Sequence, residues 1–201
     1  MRAHTRIYER MHPMSVTRTI NDTQLPAAGT WQIDPGHAEV GFVGRHFGLT
    51  KVRGRFTGVD GAVVVADDPT DSTVQVTIDM RSVSSGDQSR DDHLRSADFF
   101  DVDHHPTATY RSTAVHVDGT SGTIDGDLTI KGVARPVRLQ MDYLGHATDP
   151  WGNERAIFSA RSKINREDWG LTWNMLLETG GLLVSKEITL EIEVELVHQA
   201  S

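Results

Sequence analysis

Apolar and polar residues alternate along most of the chain after Trp31, a period of two that is typical of β-strands with one buried face. Residues 73–80 place four apolar side chains on one face, and residues 186–196 place five opposite Thr and Glu. Gly, Asp, Asn and Pro separate the alternating segments, which indicates turns between them. Further segments with this pattern are 38–47, 52–57, 61–66, 107–117, 121–131, 136–143 and 155–164.

The pattern predicts an all-β fold of about eight or nine strands. Short helices are predicted only at Gln88–Ala97 and, more weakly, after Asp168. One apolar and one polar face per strand favours an antiparallel sheet, which either forms a sandwich or closes into a barrel. The interior of an eight-stranded barrel is filled by side chains or holds one small ligand. Small residues at predicted inward positions, such as Ala38, Gly41 and Ala160, are compatible with either interior.

Composition and charge narrow the possible functions. A length of 201 residues fits one domain, which we assign to residues 30–198. The net charge of −8 provides no basic field for a phosphate backbone, so no nucleic-acid partner is expected. The absence of cysteine excludes disulfides, thiolate metal sites and a cysteine nucleophile. No apolar run approaches the roughly 20 residues of a membrane span.

Residues 1–29 precede the alternating segments and are predicted to form a disordered leader. Charges are scattered through this leader, and it lacks the apolar stretch of ~7–15 residues found in signal peptides. We therefore expect a cytoplasmic protein. Met11 and Met14 are alternative candidate starts, in which case part of residues 1–13 is not native.

Six segments carry motifs in a fixed order along the chain. They are WQIDPGHAEVGF at 31–42, KVRGRF at 51–56, DHLRSADFFDVDHHP at 92–106, GDLTIKGVARPV at 126–137, DPWGN at 149–153 and INREDWG at 164–170. Together they resemble the YceI-like family of lipocalin-like, polyisoprenoid-binding proteins. The third and fourth segments are similar to the family patterns D-x-H-L-x-S-x-D-F-F-D and G-x-L-T-x-K-G-V. The resemblance covers about residues 30–198.

The resemblance implies an extended, eight-stranded antiparallel, lipocalin-like barrel with a helix near one end, often as a homodimer. A central tunnel would hold a long isoprenoid chain, with or without a quinone, phosphate or other head group. No cofactor is expected. We therefore predict that the protein binds, sequesters or carries a polyprenyl or quinone-like lipid and catalyses no reaction.

Candidate tunnel residues are aromatic or apolar, and each of them is also compatible with ordinary core packing. Residues 171–183 are predicted to form a flap at the tunnel mouth, a packed loop or a dimer contact. The predicted lipid-binding residues are Phe42, Phe47, Phe56, Phe100, Tyr110, Phe158, Ala160, Trp169, Trp173, Met175 and Leu177. The predicted head-group residues are Arg161, Asn165 and Arg166.

Catalytic and metal sites have less support in the sequence. No nucleophile elbow and no glycine-rich nucleotide loop are present. The adjacent His104 and His105 cannot converge on one ion from an extended chain, so no metal site is predicted. Instead, His37 and His93 are expected to connect the first strand to the loop around residues 92–105. Three alternatives stay open: an enzyme that uses His and Asp of this loop on a lipid, a metal-binding stress-response module, and an interaction module with a filled barrel.

Overall fold

A computed structural model describes residues 16–175 and 183–199. These residues form twelve β-strands, one α-helix and three short 3-10 turns. The strands are β1 (Thr17–Ile20), β2 (Thr23–Pro26), β3 (Gly29–His46), β4 (Thr50–Phe56), β5 (Val59–Val65), β6 (Thr73–Asp79), β7 (Val83–Ser84), β8 (Thr107–Asp118), β9 (Ser121–Ile130), β10 (Val133–Thr148), β11 (Glu154–Asn165) and β12 (Glu187–His198). The helix α1 spans Gln88–Arg95, and the 3-10 turns span Pro69–Asp71, Met80–Ser82 and Arg166–Trp169.

Eight strands close into an antiparallel barrel. Their order around the barrel is β3, β12, β11, β10, β9, β8, β6 and β5, and β5 pairs with β3 again. With its 18 residues, β3 pairs with β5 through its first part and with β4 through its last part. β4 and the short β7 extend the wall at the end where β3 terminates. The predicted all-β, eight-stranded antiparallel barrel is confirmed.

The N-terminal hairpin of β1 and β2 packs over one end of the barrel. Leu25 is only 8% exposed, and the Arg18 guanidinium donates to the backbone oxygens of Ala66 (2.5 Å) and Asp67 (2.7 Å) in the loop after β5. The prediction of a disordered leader is therefore wrong for residues 17–26, which form paired strands. Residues 1–15 lie outside the described part of the chain.

The helix α1 follows β7 at the other end of the barrel. Asp87 caps its N-terminus, because the carboxylate accepts a hydrogen bond from the Arg90 N–H at 2.9 Å. Near the C-terminus, the Arg95 guanidinium donates to the backbone oxygen of Val83 at 2.7 Å. The predicted helix is confirmed and ends two residues earlier than expected.

The second predicted helix, after Asp168, does not form over the described residues 169–175. The chain forms the 3-10 turn at Arg166–Trp169, which Gly170 ends in a left-handed conformation with φ of 73°. Residues 171–175 have no regular secondary structure, and residues 176–182 of the predicted flap lie outside the described part. Over the ranges that the structure describes, no helix is long and apolar enough to cross a membrane.

Three carboxylates surround the Arg155 guanidinium on the barrel wall. Its nitrogens lie 2.5 Å from Asp34 Oδ2, 3.0 Å from Glu195 Oε2 and 3.1 Å from Asp149 Oδ2. Hydrogen bonds from Arg155 and His37 lower the pKa of Asp34 from 3.8 to about 2. The cluster joins β3, β11, β12 and the loop after β10.

We expect the stability that Asp34 contributes to be lost as the pH falls from 3.8 towards 2. The pKa is lower in the folded state, so the unfolded state binds the proton first, and the contribution is complete only above the unfolded pKa. Thermal unfolding of wild type and Asp34→Asn measures this effect. The variant should melt lower at neutral pH, and the difference should narrow in acid. An equal difference at both pH values would contradict the prediction.

Candidate functional site

The barrel interior contains two cavities that follow one another along its axis. The inner cavity has a volume of about 180 Å³ and is lined by all eight barrel strands. The mouth cavity, of about 740 Å³, lies between the barrel, α1, residues 171–173 and residues 183–184. Val40, Ile78, Leu128 and Leu190 line both cavities, so the two adjoin, and together they are called the channel below.

The channel extends along most of the barrel. β12 has 12 residues, and with a rise of about 3.3 Å per residue and a tilt of about 40° such a strand covers roughly 30 Å of the barrel axis. Along β12, Ile188 lines the mouth cavity, Leu190 lines both cavities and Leu196 lines the inner cavity. Ile188 and Leu196 are eight residues apart, so the lined part of β12 covers about 20 Å of the axis, about two thirds of the ~30 Å hydrocarbon core of a bilayer.

The inner cavity is almost entirely apolar, with walls made mainly of Val, Ile and Leu. The hydroxyl of Tyr110 lies 2.9 Å and 3.1 Å from the backbone oxygens of Ile124 and Val137, so the wall itself satisfies it. Burial raises the pKa of both Tyr110 and Tyr143, which keeps both phenols neutral. Such a cavity favours a hydrocarbon ligand, because an apolar cavity of about 150 Å³ already binds benzene.

Aromatic rings form one side of the mouth cavity. Phe56 packs between Phe42 and Phe100, with centroid distances of 5.6 Å and 5.5 Å. The ring of Trp173 meets His93 edge-on at 4.5 Å. These rings present a broad apolar surface to a ligand that enters from this end.

Arg166 places a buried cation in the wall of the mouth cavity. It is only 4% exposed; Nε donates to the Ser185 backbone oxygen at 3.0 Å, and Nη1 donates to that of Leu171. Nη2 is buried and has no hydrogen-bond partner among the described residues. Burial lowers the pKa of this guanidinium, which stays charged because arginine titrates far above neutral pH.

Charged side chains concentrate at the mouth. Arg45, Asp87 and Arg90 line the mouth cavity together with Arg166. The inner cavity meets a single charged residue within the described ranges, Arg18; its Nη1 and Nη2 bond to backbone oxygens, and its Nε is buried without a hydrogen-bond partner. Because most of the charged lining residues lie at the mouth, this end is the more favourable place for a polar acceptor group of a ligand.

The structure places seven of the eleven predicted lipid-binding residues in the channel wall. Tyr110, Phe158 and Ala160 line the inner cavity, and Phe42, Phe56, Phe100 and Trp173 line the mouth cavity. Adjacent residues of a strand, as Phe99 and Phe100 would be in an extended chain, point to opposite faces. Both reach the mouth cavity because residues 97–100 form a turn.

The other four predicted residues do not line the channel or are not described. Phe47 lies in the turn after β3 and is 51% exposed. Trp169 is buried behind the wall, where its indole N–H donates to the Leu128 backbone oxygen at 3.0 Å. Met175 is 55% exposed, and Leu177 lies outside the described residues. The tunnel-wall prediction is wrong for Phe47, Trp169 and Met175.

The head-group prediction is wrong for two of its three residues. Arg161 lies on the outer face of β11 and is exposed. Asn165 caps the following 3-10 turn, because its side chain accepts a hydrogen bond from the Glu167 N–H at 3.1 Å. Of the three, Arg166 alone reaches the mouth cavity, since this turn redirects the chain after the strand ends.

The predicted connection through His37 and His93 is also wrong. His37 contacts Asp34 of its own strand at 3.0 Å, and His93 pairs with a carboxylate of the loop after α1. Potential ligand atoms of Asp34, His37 and Glu195 lie within 4.8 Å of one another. The Arg155 guanidinium already contacts both carboxylates of this group, so the cluster is explained by ion pairing.

Sequence reasoning missed the residues that close the inner cavity and one cation at its mouth. Leu25 and Pro26 line the inner cavity from β2, and Arg90 lines the mouth cavity from α1. The turn dipeptide Asn21-Asp22 between two short alternating segments was the available signal for the hairpin. For Arg90 the sequence offers no comparable signal.

Comparison with known proteins identifies relatives over this same region. A family model for the YceI-like domain matches residues 31–196. Protein YceI of Escherichia coli O157:H7 is 40% identical over 164 residues, which is 81% of this chain and 83% of that protein.

Two solved structures share the fold. Burkholderia cenocepacia BcnA matches with a TM-score of 0.70 and 22% identity, over 81% of this chain and 98% of BcnA. A polyisoprenoid binding domain from Saccharophagus degradans matches with a TM-score of 0.59 and 17% identity, over 86% of this chain and all (100%) of that domain. Because the family model matches residues 31–196, which are most of the chain, the chain belongs to the YceI-like family.

Proposed function

We propose that this protein binds a long isoprenoid lipid, with the tail in the inner cavity and the head group in the mouth cavity, and carries it chemically unchanged. The observation that carries the proposal is the pair of adjoining, largely apolar cavities, with most of their charged side chains at the mouth. The fold shared with a polyisoprenoid binding domain supports the same ligand class.

Burial of the tail supplies most of the binding free energy in this proposal. Each methylene group transferred from water into an apolar wall contributes about 0.8 kcal/mol. Branched Val, Ile and Leu side chains line the channel in place of polar partners. Binding therefore depends on the length and apolar surface of the ligand rather than on a precise polar pattern.

Arg166 supplies a fixed donor for the head group. Its Nη2 is unpartnered and fully buried, so in this proposal neighbouring side chains move aside to let it donate to an oxygen acceptor such as a phosphate, a carboxylate or a quinone carbonyl. The remaining guanidinium hydrogen bonds go to backbone oxygens of the chain, so the donor is held in place before the ligand arrives.

Native mass spectrometry of protein purified without detergent tests this function. We expect an added mass on the folded protein and isoprene-spaced species in its organic extract. A mass without ligand, unchanged after incubation with polyprenyl phosphates and quinones, would refute isoprenoid binding. Turnover of the bound lipid that His93→Ala abolishes would refute the non-catalytic role.

Arg166→Gln should weaken binding of a polyprenyl phosphate about tenfold to a hundredfold relative to the matching polyprenol. A hydrogen bond to a charged group contributes about 1.5–3 kcal/mol, and the alcohol loses much less when the charge is removed. Competition between the two lipids measures the ratio. Arg161→Gln, on the outer face of β11, is the matched control and should leave it unchanged. Equal weakening of both lipids would show that Arg166 acts through the fold alone.

A further inference from the structure

The β3–β4 turn carries exposed apolar side chains beside the channel mouth. Phe47 is 51% exposed and Leu49 is 77% exposed. The Phe47 N–H donates to the Leu183 backbone oxygen at 3.0 Å, and Leu183 itself lines the mouth cavity. Residues 45–51, called the tip below, therefore adjoin the opening through which a lipid enters.

Phe47 has a backbone conformation that is unfavourable for a bulky side chain. Phe47 and Gly48 occupy the centre of a turn with φ of 55° and 71°, closed by the Leu49 N–H to His46 oxygen bond at 3.0 Å. Such a turn favours Asn-Gly, and a bulky residue at positive φ is strained. An exposed aromatic ring held in a strained turn indicates a role outside the fold.

The charges of the tip point to an anionic partner. Arg45 and Lys51 lie directly opposite each other on β3 and β4, an arrangement of like charges that destabilises a sheet. Residues 40–59 contain four Arg and Lys and no Asp or Glu, although the whole chain has a net charge of −8. Neither Arg45 nor Lys51 forms an ion pair within the described ranges 16–175 and 183–199.

We propose that the tip docks the channel mouth onto the surface of an anionic lipid bilayer. Phe47 and Leu49 insert at the level of the head groups, while Arg45 and Lys51 contact lipid phosphates. The inference rests on the proposed function, because the bilayer is then the source of the carried lipid. A docked mouth lets the apolar tail pass from membrane to channel without crossing water.

Vesicle co-sedimentation tests the docking. Wild type should bind vesicles of phosphatidylcholine mixed with phosphatidylglycerol at least about tenfold more tightly than vesicles of phosphatidylcholine alone, and salt should weaken this binding. The double variant Phe47→Asn, Leu49→Ser should lose about tenfold or more, although Asn suits the turn and should preserve thermal stability. Trp151→Ser removes an 83% exposed ring from the loop between β10 and β11 and should bind like wild type.

Several outcomes would overturn the docking surface. One is that wild type does not bind vesicles containing phosphatidylglycerol. Another is that the double variant binds these vesicles as tightly as wild type does. A third is a double variant that binds vesicles like wild type but sediments as a monomer where wild type sediments as a dimer. That result would assign the tip to contact with a second copy. Native mass spectrometry separates this inference from the carrier function. Protein that carries lipid but does not bind vesicles would contradict the docking alone. Protein that binds vesicles but never takes up lipid would contradict the carrier function alone.

Discussion

Ala160→Trp is expected to abolish retention of the lipid tail while the protein stays folded. Ala160 lies on β11 between Met141 and Ile192 of the neighbouring strands, and all three side chains line the inner cavity. An indole ring at this position fills much of a cavity of about 180 Å³. Exclusion of only two methylene groups weakens binding more than tenfold, at about 0.8 kcal/mol for each.

The new side chain replaces ligand volume rather than protein atoms, so the cost to stability should be at or below the usual 1–3 kcal/mol of an overpacked core. Bound lipid per folded molecule, from native mass spectrometry, and the midpoint of thermal unfolding are the two measurements. Arg161→Trp is the matched control, because it adds the same ring one residue later on the outer face of β11. The control should keep its lipid.

Phe158→Ala enlarges the same cavity that Ala160→Trp fills. Phe158 lies in the inner wall with its ring centroid 5.1 Å from that of Tyr143. Its removal enlarges the cavity and should alter which lipids are retained more than it alters folding. A collapse of thermal stability with unchanged lipid per folded molecule, in either variant, would assign these positions to the core and not to the channel.

The strands could be predicted from the sequence because one physical rule governs most of them, whereas the family resemblance was needed to choose a barrel over a sandwich. Alternation within segments such as 73–80 and 186–196 specifies strands with one dry face, and short turns specify antiparallel neighbours. The same rule placed Phe42, Phe158 and Ala160 in the channel wall. Where the period of two holds, the inward face can be read directly from the chain.

The predictions went wrong where the strands end. The 3-10 turn at Arg166–Trp169 breaks the alternation and points Arg166 inward, a direction that no strand register supplies. At the β3–β4 turn, Phe47 has a positive φ and is 51% exposed, although the turn lies beside the channel mouth. Turn conformation depends on a few dihedral angles and on contacts with distant loops, so residue type alone does not determine these orientations.

The N-terminal hairpin was missed for a related reason. Its two strands have four residues each and few apolar side chains, so their periodicity is weak. What holds them is tertiary: Leu25 packs into the open end of the barrel, and Arg18 donates to backbone oxygens of the loop after β5. Because these contacts join residues far apart in the chain, a local pattern could not predict them.

Removal of residues 1–26 is expected to open the end of the channel that lies opposite the mouth. The channel should then no longer set an upper limit on the length of the lipid. Leu25 and Pro26 line the inner cavity opposite the mouth, so the hairpin would stop the end of a bound tail in wild type. A lipid longer than the channel must then withdraw its head group from Arg166, which costs about 1.5–3 kcal/mol, or tenfold to a hundredfold in affinity. In the truncated protein a longer tail passes through, and the head group keeps its donor.

Competition between polyprenyl phosphates of different length measures this limit. The ratio of long-chain to short-chain affinity should rise about tenfold or more on truncation, and Leu25→Ala, which keeps the hairpin, should shift it less in the same direction. Loss of the buried Leu25 side chain should also lower the free energy of unfolding by about 1.5–3 kcal/mol. If stability falls by this amount and the length preference stays unchanged, the hairpin supports the barrel without closing the channel. A shift in the ratio makes this short segment, which precedes the matched family domain, a determinant of lipid length.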